Sequence, residues 1–486
     1  MKLQGCRRRV EQAIGGGGLL PAMGETEMRV PVKVMAGAAP VAVLLVFGLV
    51  PDLAQSTEPD IIVTAAPTYA PLAALRGEER FPSGAHLLLL HNGKAEPLAP
   101  GFAASADASV SFDAKTVLFS GKRSAGDPWQ VWELTLADRS VRKVIEGAGD
   151  AIRPLYLPFD RVVYARRASN GFQLESAGTG KPAADPGAAP LRLSYLPGSA
   201  IPADVLQDGR ILFEAGFPLG SGAAPELFLV YADGSGVESY RCDHGAARWG
   251  GRQLASGDVV FTHGAGLARF TSPLAAEAPI DAPRAEYSGA IAETASNAWL
   301  VSARTRDGAH FTLHSWKPGA AALQPVLAES GLDLVEPVVV APRGRPKRHP
   351  SALHEWNYAN LLALDARQSR EGDLKTAPVS VRLETVDAGG RTVVAGEAAV
   401  EEDGSFFVKT PADRPIRFAL LDQNGAVVRR EQGWFWIRRG EQRICVGCHT
   451  GPDRASRNKV PDVLLRSTRP ADLTRVDTAH TDTGGK

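Results

Sequence analysis

Two cysteines and a histidine near the end of the chain form the clearest chemical signature in this 486-residue sequence. Cys445 and Cys448 are three positions apart and His449 follows directly. Such Cys-x-x-Cys-His spacing is typical of covalent c-type haem attachment, in which both sulfurs bond to one porphyrin and the histidine ligates its iron. A zinc half-site and a disulfide are the alternatives, but a zinc site usually has a second closely spaced Cys/His pair. The sequence therefore predicts one haem c, with His449 as an iron ligand.

The second axial position on the iron is not assigned by the motif. All four methionines lie within the first 35 residues, a segment predicted below to be removed. A His/Met ligand pair is therefore excluded for the mature chain. The sixth position is either open, filled by water, or filled by another side chain. Nine further histidines are available for it: His86, His91, His244, His263, His310, His314, His349, His354 and His480.

Residues 1–56 are interpreted as an N-terminal extension followed by a signal peptide. From Met28, basic residues precede an apolar run at 35–50, and the small-residue sequence Ala-Gln-Ser follows at 54–56. Residues 1–27 are interpreted as an upstream extension from a misassigned start. The apolar run is short and interrupted for a membrane span. We therefore expect a periplasmic or otherwise exported protein, with membrane contact only if this leader stays uncleaved.

The charge of the chain is balanced. It has 54 Lys and Arg residues against 54 Asp and Glu residues. A near-neutral surface gives no reason to expect nucleic acid or an anionic membrane as a partner. If a haem is attached, the expected partner is a redox protein.

A repeat occupies residues 57–341. Each copy has a tight polar turn followed by a short apolar strand, and the equivalent positions lie 40 to 49 residues apart, at Val117, Val162, Ile211, Val259 and Trp299. This spacing is a propeller-blade period, and the turn and strand pattern resembles the TolB-type propeller repeat. Lone strands at residues 87–90 and 336–341 are predicted to close a sixth blade. A string of sandwich hairpins is the alternative.

Three segments follow the repeat. Residues 342–359 are predicted to be a linker, because prolines and basic residues crowd its first half. Its charges either pair with haem propionates or are simply solvated.

Residues 360–440 alternate apolar runs with Asp/Gly turns, which predicts a small antiparallel β-sandwich. Residues 441–486 carry the haem motif and a tail that is expected to be too short and too rich in proline for a helical cytochrome c fold. The fold class is therefore mainly β, and the haem is expected between the sandwich, the tail and the propeller.

The second domain resembles a known family. Residues 403–406 (Asp-Gly-Ser-Phe) and the string Gly-Glu-Gln-Arg before Cys-Val-Gly-Cys-His at 440–449 are similar to the middle domain of the hydrazine synthase alpha subunit. The resemblance implies a propeller followed by a β-rich domain with one c-type haem attached through Cys445 and Cys448. Two departures argue against hydrazine synthesis. A second haem motif is not found, and residues 450–454 lack the tyrosine that the family pattern places after the motif.

One further constellation lies in the repeat region. Cys242 and His244 would project on the same face of an extended segment. With His263, or with His449 if it leaves the iron, they form a possible zinc site, or they form a wall over the haem. The alternative is a packed cysteine beside a surface histidine.

Three hypotheses for function follow from these patterns. The first is a mono-haem electron-transfer protein, which predicts a six-coordinate, low-spin haem. The second is a redox enzyme acting on a small nitrogen or oxygen species at an open iron, which predicts a high-spin haem. The third is a propeller scaffold with a structural haem. Sequence signatures of serine hydrolases, phosphate-binding loops and His-Glu-x-x-His metalloproteases are not found.

Overall fold

Short apolar strands separated by polar turns make up most of the part of the chain that the structure describes. The structure is a computed structural model that describes residues 59–180, 189–216, 224–241, 245–305, 309–369, 374–447 and 459–474. The described helical elements are one turn of 3-10 helix at Ala74–Arg76 and one short α-helix at Asp462–Arg466. No helix of the described residues is long and apolar enough to cross a membrane.

Six sheets form the blades of a propeller. Neighbouring blades contact one another in a ring, which closes where the inner strand of the sixth blade contacts that of the first. The strands, from inner to outer, are Ala104–Val110, Thr116–Lys122, Gln130–Thr135 and Val141–Lys143 in blade 1; Ala151–Leu157, Arg161–Ala168, Gly171–Gly178 and Leu191–Arg192 in blade 2; Ala200–Val205, Ile211–Ala215, Glu226–Val230 and Glu238–Ser239 in blade 3; Arg248–Gln253, Val259–His263, Gly266–Phe270 and Ala278–Pro279 in blade 4; Glu286–Tyr287 with Ala292–Glu293, Trp299–Arg304, Thr312–Trp316 and Gln324–Leu327 in blade 5; and Asp333–Val339, Ile61–Ala66, His86–His91 and Lys94–Pro97 in blade 6.

The sixth blade joins the two ends of the propeller sequence, as predicted. Its inner strand, Asp333–Val339, comes from the end of the repeat, and its other three strands come from the start. The two strands foreseen from the sequence do not pair directly, however. Ile61–Ala66 lies between them, with Ile62 beside Val338 and Val63 beside Leu88. This strand was missed because it is buried on both faces and shows no polar alternation.

The inner strands of blades 1, 2 and 6 are bulged at charged residues. Asp107, Arg153 and Glu336 each lie at a shift of strand register and have positive φ angles of 61°, 54° and 56°. Their side chains meet that of Arg80 in a buried ion network. Arg80 Nη1 is 2.5 Å from Asp107 Oδ1, and Glu336 pairs with both Arg80 and Arg153. A left-handed backbone conformation is unfavourable for residues other than glycine. The ion network stabilises this conformation at the three bulges.

Two four-stranded sheets form the second domain. One consists of Thr392–Ala399, Ser380–Val386, Ile416–Leu421 and Val427–Arg430, and the other of Gln442–Cys445, Ala359–Ala363, Phe406–Thr410 and Ala471–Asp472. The first sheet is antiparallel, as predicted. The second is mixed, because Gln442–Cys445 and Ala471–Asp472 add to it in parallel. The strand that carries the first cysteine of the haem motif is therefore part of the sandwich.

The basic linker lies against the propeller. Residues 340–358 contain no strand or helix. The backbone N–H groups of Arg343 and Lys347 donate to propeller carbonyl oxygens, over 2.9 and 3.0 Å. His349 stacks on Tyr231, with ring centres 3.9 Å apart. The linker is thus packed on the first domain before the chain enters the second.

Candidate functional site: the strand that leads into the haem motif

Cys445 is the last residue of an edge strand in the sandwich. Its strand pairs in parallel with Ala359–Ala363, so that Cys445 lies beside Ala363. The Leu364 N–H donates to the Cys445 carbonyl oxygen over 2.8 Å. The Cys445 side chain is 1% exposed and belongs to the apolar core of the domain. The first predicted attachment sulfur is thus held at one end of the sheet, where the motif begins.

The opposite face of the same sheet carries an apolar strip. Ile444 points away from the core and is 54% exposed. Its cross-strand neighbour is Leu362, whose neighbour on the next strand is Phe407. Side chains at paired positions lie on one face of a sheet, so the three form a continuous strip. Lys409 continues this face two residues after Phe407.

A buried ion cluster fixes the strand before the motif. Glu441 accepts a hydrogen bond from Arg443 Nε over 3.1 Å, and from the backbone N–H of Arg438 over 2.8 Å. All three residues are less than 10% exposed. Breaking such a buried pair leaves an uncompensated charge, at about 3–5 kcal/mol. The cluster therefore holds the residues before Cys445 in one conformation.

The same cluster attaches the second domain to the propeller. Arg443 Nη2 donates to the carbonyl oxygen of Val237 over 3.1 Å, and the Gly236 N–H donates to Glu441 over 3.2 Å. Arg438 Nη1 donates to the carbonyl oxygen of Arg192 over 2.5 Å. Arg192 lies in the outer strand of blade 2, and Gly236 and Val237 lie directly before the outer strand of blade 3. The strand that enters the haem motif is therefore clamped to the propeller.

Only glycine fits at position 440, where this segment begins. Its φ angle is 76°, and a Cβ atom there would lie 1.8 Å from the carbonyl oxygen of His354. Its N–H donates to Tyr358 and its carbonyl oxygen accepts from the N–H of His354. The Gly-Glu-Gln-Arg string that carried the family resemblance is thus an interdomain clamp. Sequence reasoning identified the string but not this role, because its partners are about 200 residues away.

The chain after the motif returns to the same end of the sandwich. Asp403 accepts hydrogen bonds from the Asp462 N–H over 2.9 Å and from the Ser405 hydroxyl over 2.5 Å, and it pairs with Lys459 over 3.1 Å. Burial alone would raise the pKa of Asp403, but these hydrogen bonds lower it to about 2. A polar cavity of about 230 Å³, which includes Arg367, lies at this point. Asp403 thus anchors the residues that follow the haem motif.

The other predicted site residues lie outside the described residues. Cys448, His449, Cys242 and His244 are among them. Within the described ranges, no group of three or more His, Cys, Asp or Glu side chains is arranged to hold a metal ion. His263, a candidate partner for Cys242, pairs instead with Glu277. The zinc hypothesis therefore stays a prediction.

The described residues define where a c-type haem would be attached, but they do not themselves form a porphyrin pocket. Cys445 ends a fixed strand, so that its sulfur has a defined position on the core face of the sheet. The exposed apolar strip with Ile444 lies on the opposite face, because successive side chains of a strand point to opposite faces. Lys409, on that same opposite face, pairs with Asp472 over 3.4 Å. Arg343 of the linker lies against Phe112 of the propeller, 4.8 Å from the ring centre.

Known proteins share the fold and the second domain of this chain. Residues 363–450 match the model of the hydrazine synthase alpha subunit middle domain. The structure of hydrazine synthase from Kuenenia stuttgartiensis is similar over 84% of this chain and 72% of that chain, with a TM-score of 0.71 and 16% identity. TolB from Acinetobacter baumannii is similar over 58% of this chain and 66% of its own, with a TM-score of 0.42 and 11% identity. A search of curated protein sequences gave no match.

The fold and the site define a two-domain β-protein, with a six-bladed propeller and a sandwich that leads into a Cys-x-x-Cys-His motif. Its second domain is related to the middle domain of the hydrazine synthase alpha subunit, and the resemblance predicted from residues 403–449 is confirmed.

Proposed function

We propose that this protein is an exported mono-haem c-type cytochrome that takes part in electron transfer. Cys445 and Cys448 would attach the haem and His449 would be an axial ligand. When bound, the haem supplies a one-electron redox couple. The observation that supports this proposal most directly is the position of Cys445 at the end of a strand clamped between two domains.

A fixed strand suits electron transfer because a redox group must keep the same surroundings in both oxidation states. Glu441 and Arg443 hold the strand by buried, charge-assisted hydrogen bonds. Asp403 holds the chain on the far side of the motif. The residues between these anchors therefore begin and end at defined points of one rigid domain.

The identity of the sixth ligand decides between electron transfer and catalysis at an open iron. Three propeller histidines, His91, His263 and His310, are already paired with carboxylates. The methionines all lie in the first 35 residues. Electron transfer therefore requires a side chain other than methionine as the sixth ligand in the mature protein, and with it a low-spin haem in both oxidation states.

Optical and electron paramagnetic resonance spectra of the purified holoprotein test the proposal. The expected result is a low-spin spectrum without the weak long-wavelength band of Met–iron ligation, and a haem that dithionite reduces. A high-spin spectrum with ready binding of carbon monoxide would overturn electron transfer in favour of a redox enzyme. A haem that resists reduction would indicate a structural role. Export is tested separately by N-terminal sequencing of the secreted form, which should begin near residue 57.

A further inference from the structure

The axis of the propeller contains a cavity of about 470 Å³. The inner strands of all six blades line it, through residues such as Ser109, Leu155, Asp204, Arg252, Glu293 and Val338. The linker residues 341–346 lie across its other side. Asp107 and Glu336 of the buried ion network directly precede two lining residues, so the network borders the cavity. A volume of this size is in the range of ligand pockets.

Arginines outnumber acids in this cavity. Arg252, Arg343 and Arg345 line it together with Asp204 and Glu293. Both acids are already engaged by the backbone. Asp204 accepts hydrogen bonds from the N–H groups of Val205 and Gln253, each over 2.8 Å, and Glu293 accepts one from Ala255 over 2.7 Å. With three arginines against two carboxylates, the lining carries a formal net charge of +1.

Arg252 is the most buried of the three arginines. Its guanidinium makes no hydrogen bond to any described residue, and Asp204 Oδ1 lies 4.0 Å from its Nη1. Its side chain is 21% exposed although it points into the molecule. Burial lowers the pKa of Arg252, and the nearby Asp204 only partly offsets this effect. A guanidinium carries five N–H donors in a planar fork that matches carboxylate and phosphate groups.

The rest of the lining is mixed. Leu155, Val205 and Ile291 from blades 2, 3 and 5 give it an apolar part, and Ser109, Gln207 and Gln253 add hydrogen-bonding groups. A ligand that suits this space has one anionic group and an apolar body. A bare inorganic anion would leave the apolar walls uncovered.

We propose that the axial cavity binds a small organic anion, with its carboxylate or phosphate on Arg252 and its apolar body against Leu155, Val205 and Ile291. Arg343, which the linker brings to the cavity, contributes the second cation. This site lies in the propeller and is independent of the haem.

Isothermal titration calorimetry on the full-length holoprotein tests the proposal with three probes of similar size: benzoate, phenyl phosphate and benzyl alcohol. We expect at least one of the two anions to bind and the uncharged alcohol not to bind measurably. Whichever anion binds more tightly identifies the preferred head group. Arg252→Gln should weaken that binding about tenfold, because a charge-assisted hydrogen bond is lost.

Arg269→Gln is the matched control. Arg269 lies on the same blade, is 46% exposed and pairs with Asp258 outside the cavity. Its replacement should leave binding unchanged. If Arg252→Gln does not fold, as judged by circular dichroism, Arg343→Gln decides in its place. The proposal is overturned if neither anion binds the wild type at millimolar concentration, or if the arginine variant binds as tightly as the wild type.

Discussion

Trp436 of the second domain donates its indole N–H to the carbonyl oxygen of Gly234 in the propeller over 2.9 Å. The indole is completely buried, and its ring centre lies 6.2 Å from that of Phe213 and 6.3 Å from that of Tyr195. One apolar cluster contains core residues of blades 2 and 3 together with those of the sandwich. The two domains are therefore joined by a surface that is packed like a protein interior.

Trp436→Phe is expected to destabilise the protein by about 2 kcal/mol. The substitution leaves the Gly234 carbonyl oxygen buried without its donor and removes part of a filled volume. Urea unfolding followed by circular dichroism measures the change. Trp434→Phe is the matched control, because Trp434 is only partly buried and packs against Arg417. Equal effects of the two substitutions would contradict a special role for Trp436.

Asp403→Asn is expected to remove a stabilisation that depends on pH. The pKa of Asp403 is lowered to about 2 in the folded protein, against about 3.9 in an unfolded chain. A lowered carboxyl pKa stabilises the fold above the unfolded value, and this contribution disappears as the pH falls from about 4 to about 2. The free energy of unfolding of the wild type should therefore exceed that of Asp403→Asn by roughly 2 kcal/mol at neutral pH. In acid, the two free energies should converge.

Unfolding by urea at several pH values from neutral to acid measures this difference. Asp422→Asn serves as the control, because Asp422 lies in an exposed turn where it accepts hydrogen bonds from the N–H groups of Asn424 and Ala426. A constant difference between wild type and Asp403→Asn at all pH values would show that Asp403 does not act through its charge.

Local patterns predicted the blades well. The turn before each repeated strand and the spacing of Val117, Val162 and Ile211 are properties of neighbouring residues, and the structure places these strands in successive blades. The ring closure was also foreseen. Ile61–Ala66 was not, because a strand buried on both faces has no alternation to reveal it.

Long-range partners limited the prediction of the site. Glu441 and Arg443 were noticed as part of a family string, but their contacts with Gly236 and Val237 join residues about 200 positions apart. Arg252 gave no signal, since a single arginine on a strand is ordinary in sequence. Its position at the propeller axis becomes visible only when six blades are assembled. Parallel addition of Gln442–Cys445 to the sandwich was missed for the same reason.

Cys448→Ala is expected to abolish or strongly reduce covalent haem attachment. Each thioether requires its own sulfur, and the Cys-x-x-Cys-His motif provides two. The measurement is haem staining on a denaturing gel after expression with a haem-maturation system. Cys242→Ala, which leaves the motif intact, should stain like the wild type. Undiminished staining of Cys448→Ala would contradict the assignment of the Cys-x-x-Cys-His motif to covalent haem attachment.

Cys242→Ser tests whether the propeller contributes a zinc or haem-side site. If Cys242 and His244 bind a metal, serine should lower the zinc content, because a thiolate is a much stronger zinc ligand than a hydroxyl group. If they face the haem, the Soret band should shift. Circular dichroism should stay unchanged in both cases, since serine replaces cysteine with a modest packing loss.

Zinc by elemental analysis and the Soret position are measured together on wild type, Cys242→Ser and His263→Gln. His263 is the informative comparison because it pairs with Glu277. A loss of zinc in both variants would mean that His263 exchanges this partner for the metal. A loss of zinc in Cys242→Ser alone would mean that Cys242 binds the zinc together with ligands other than His263. Wild-type protein without zinc, together with an unshifted Soret band in Cys242→Ser, would leave Cys242 as a packing residue and confine the proposed redox chemistry to the second domain.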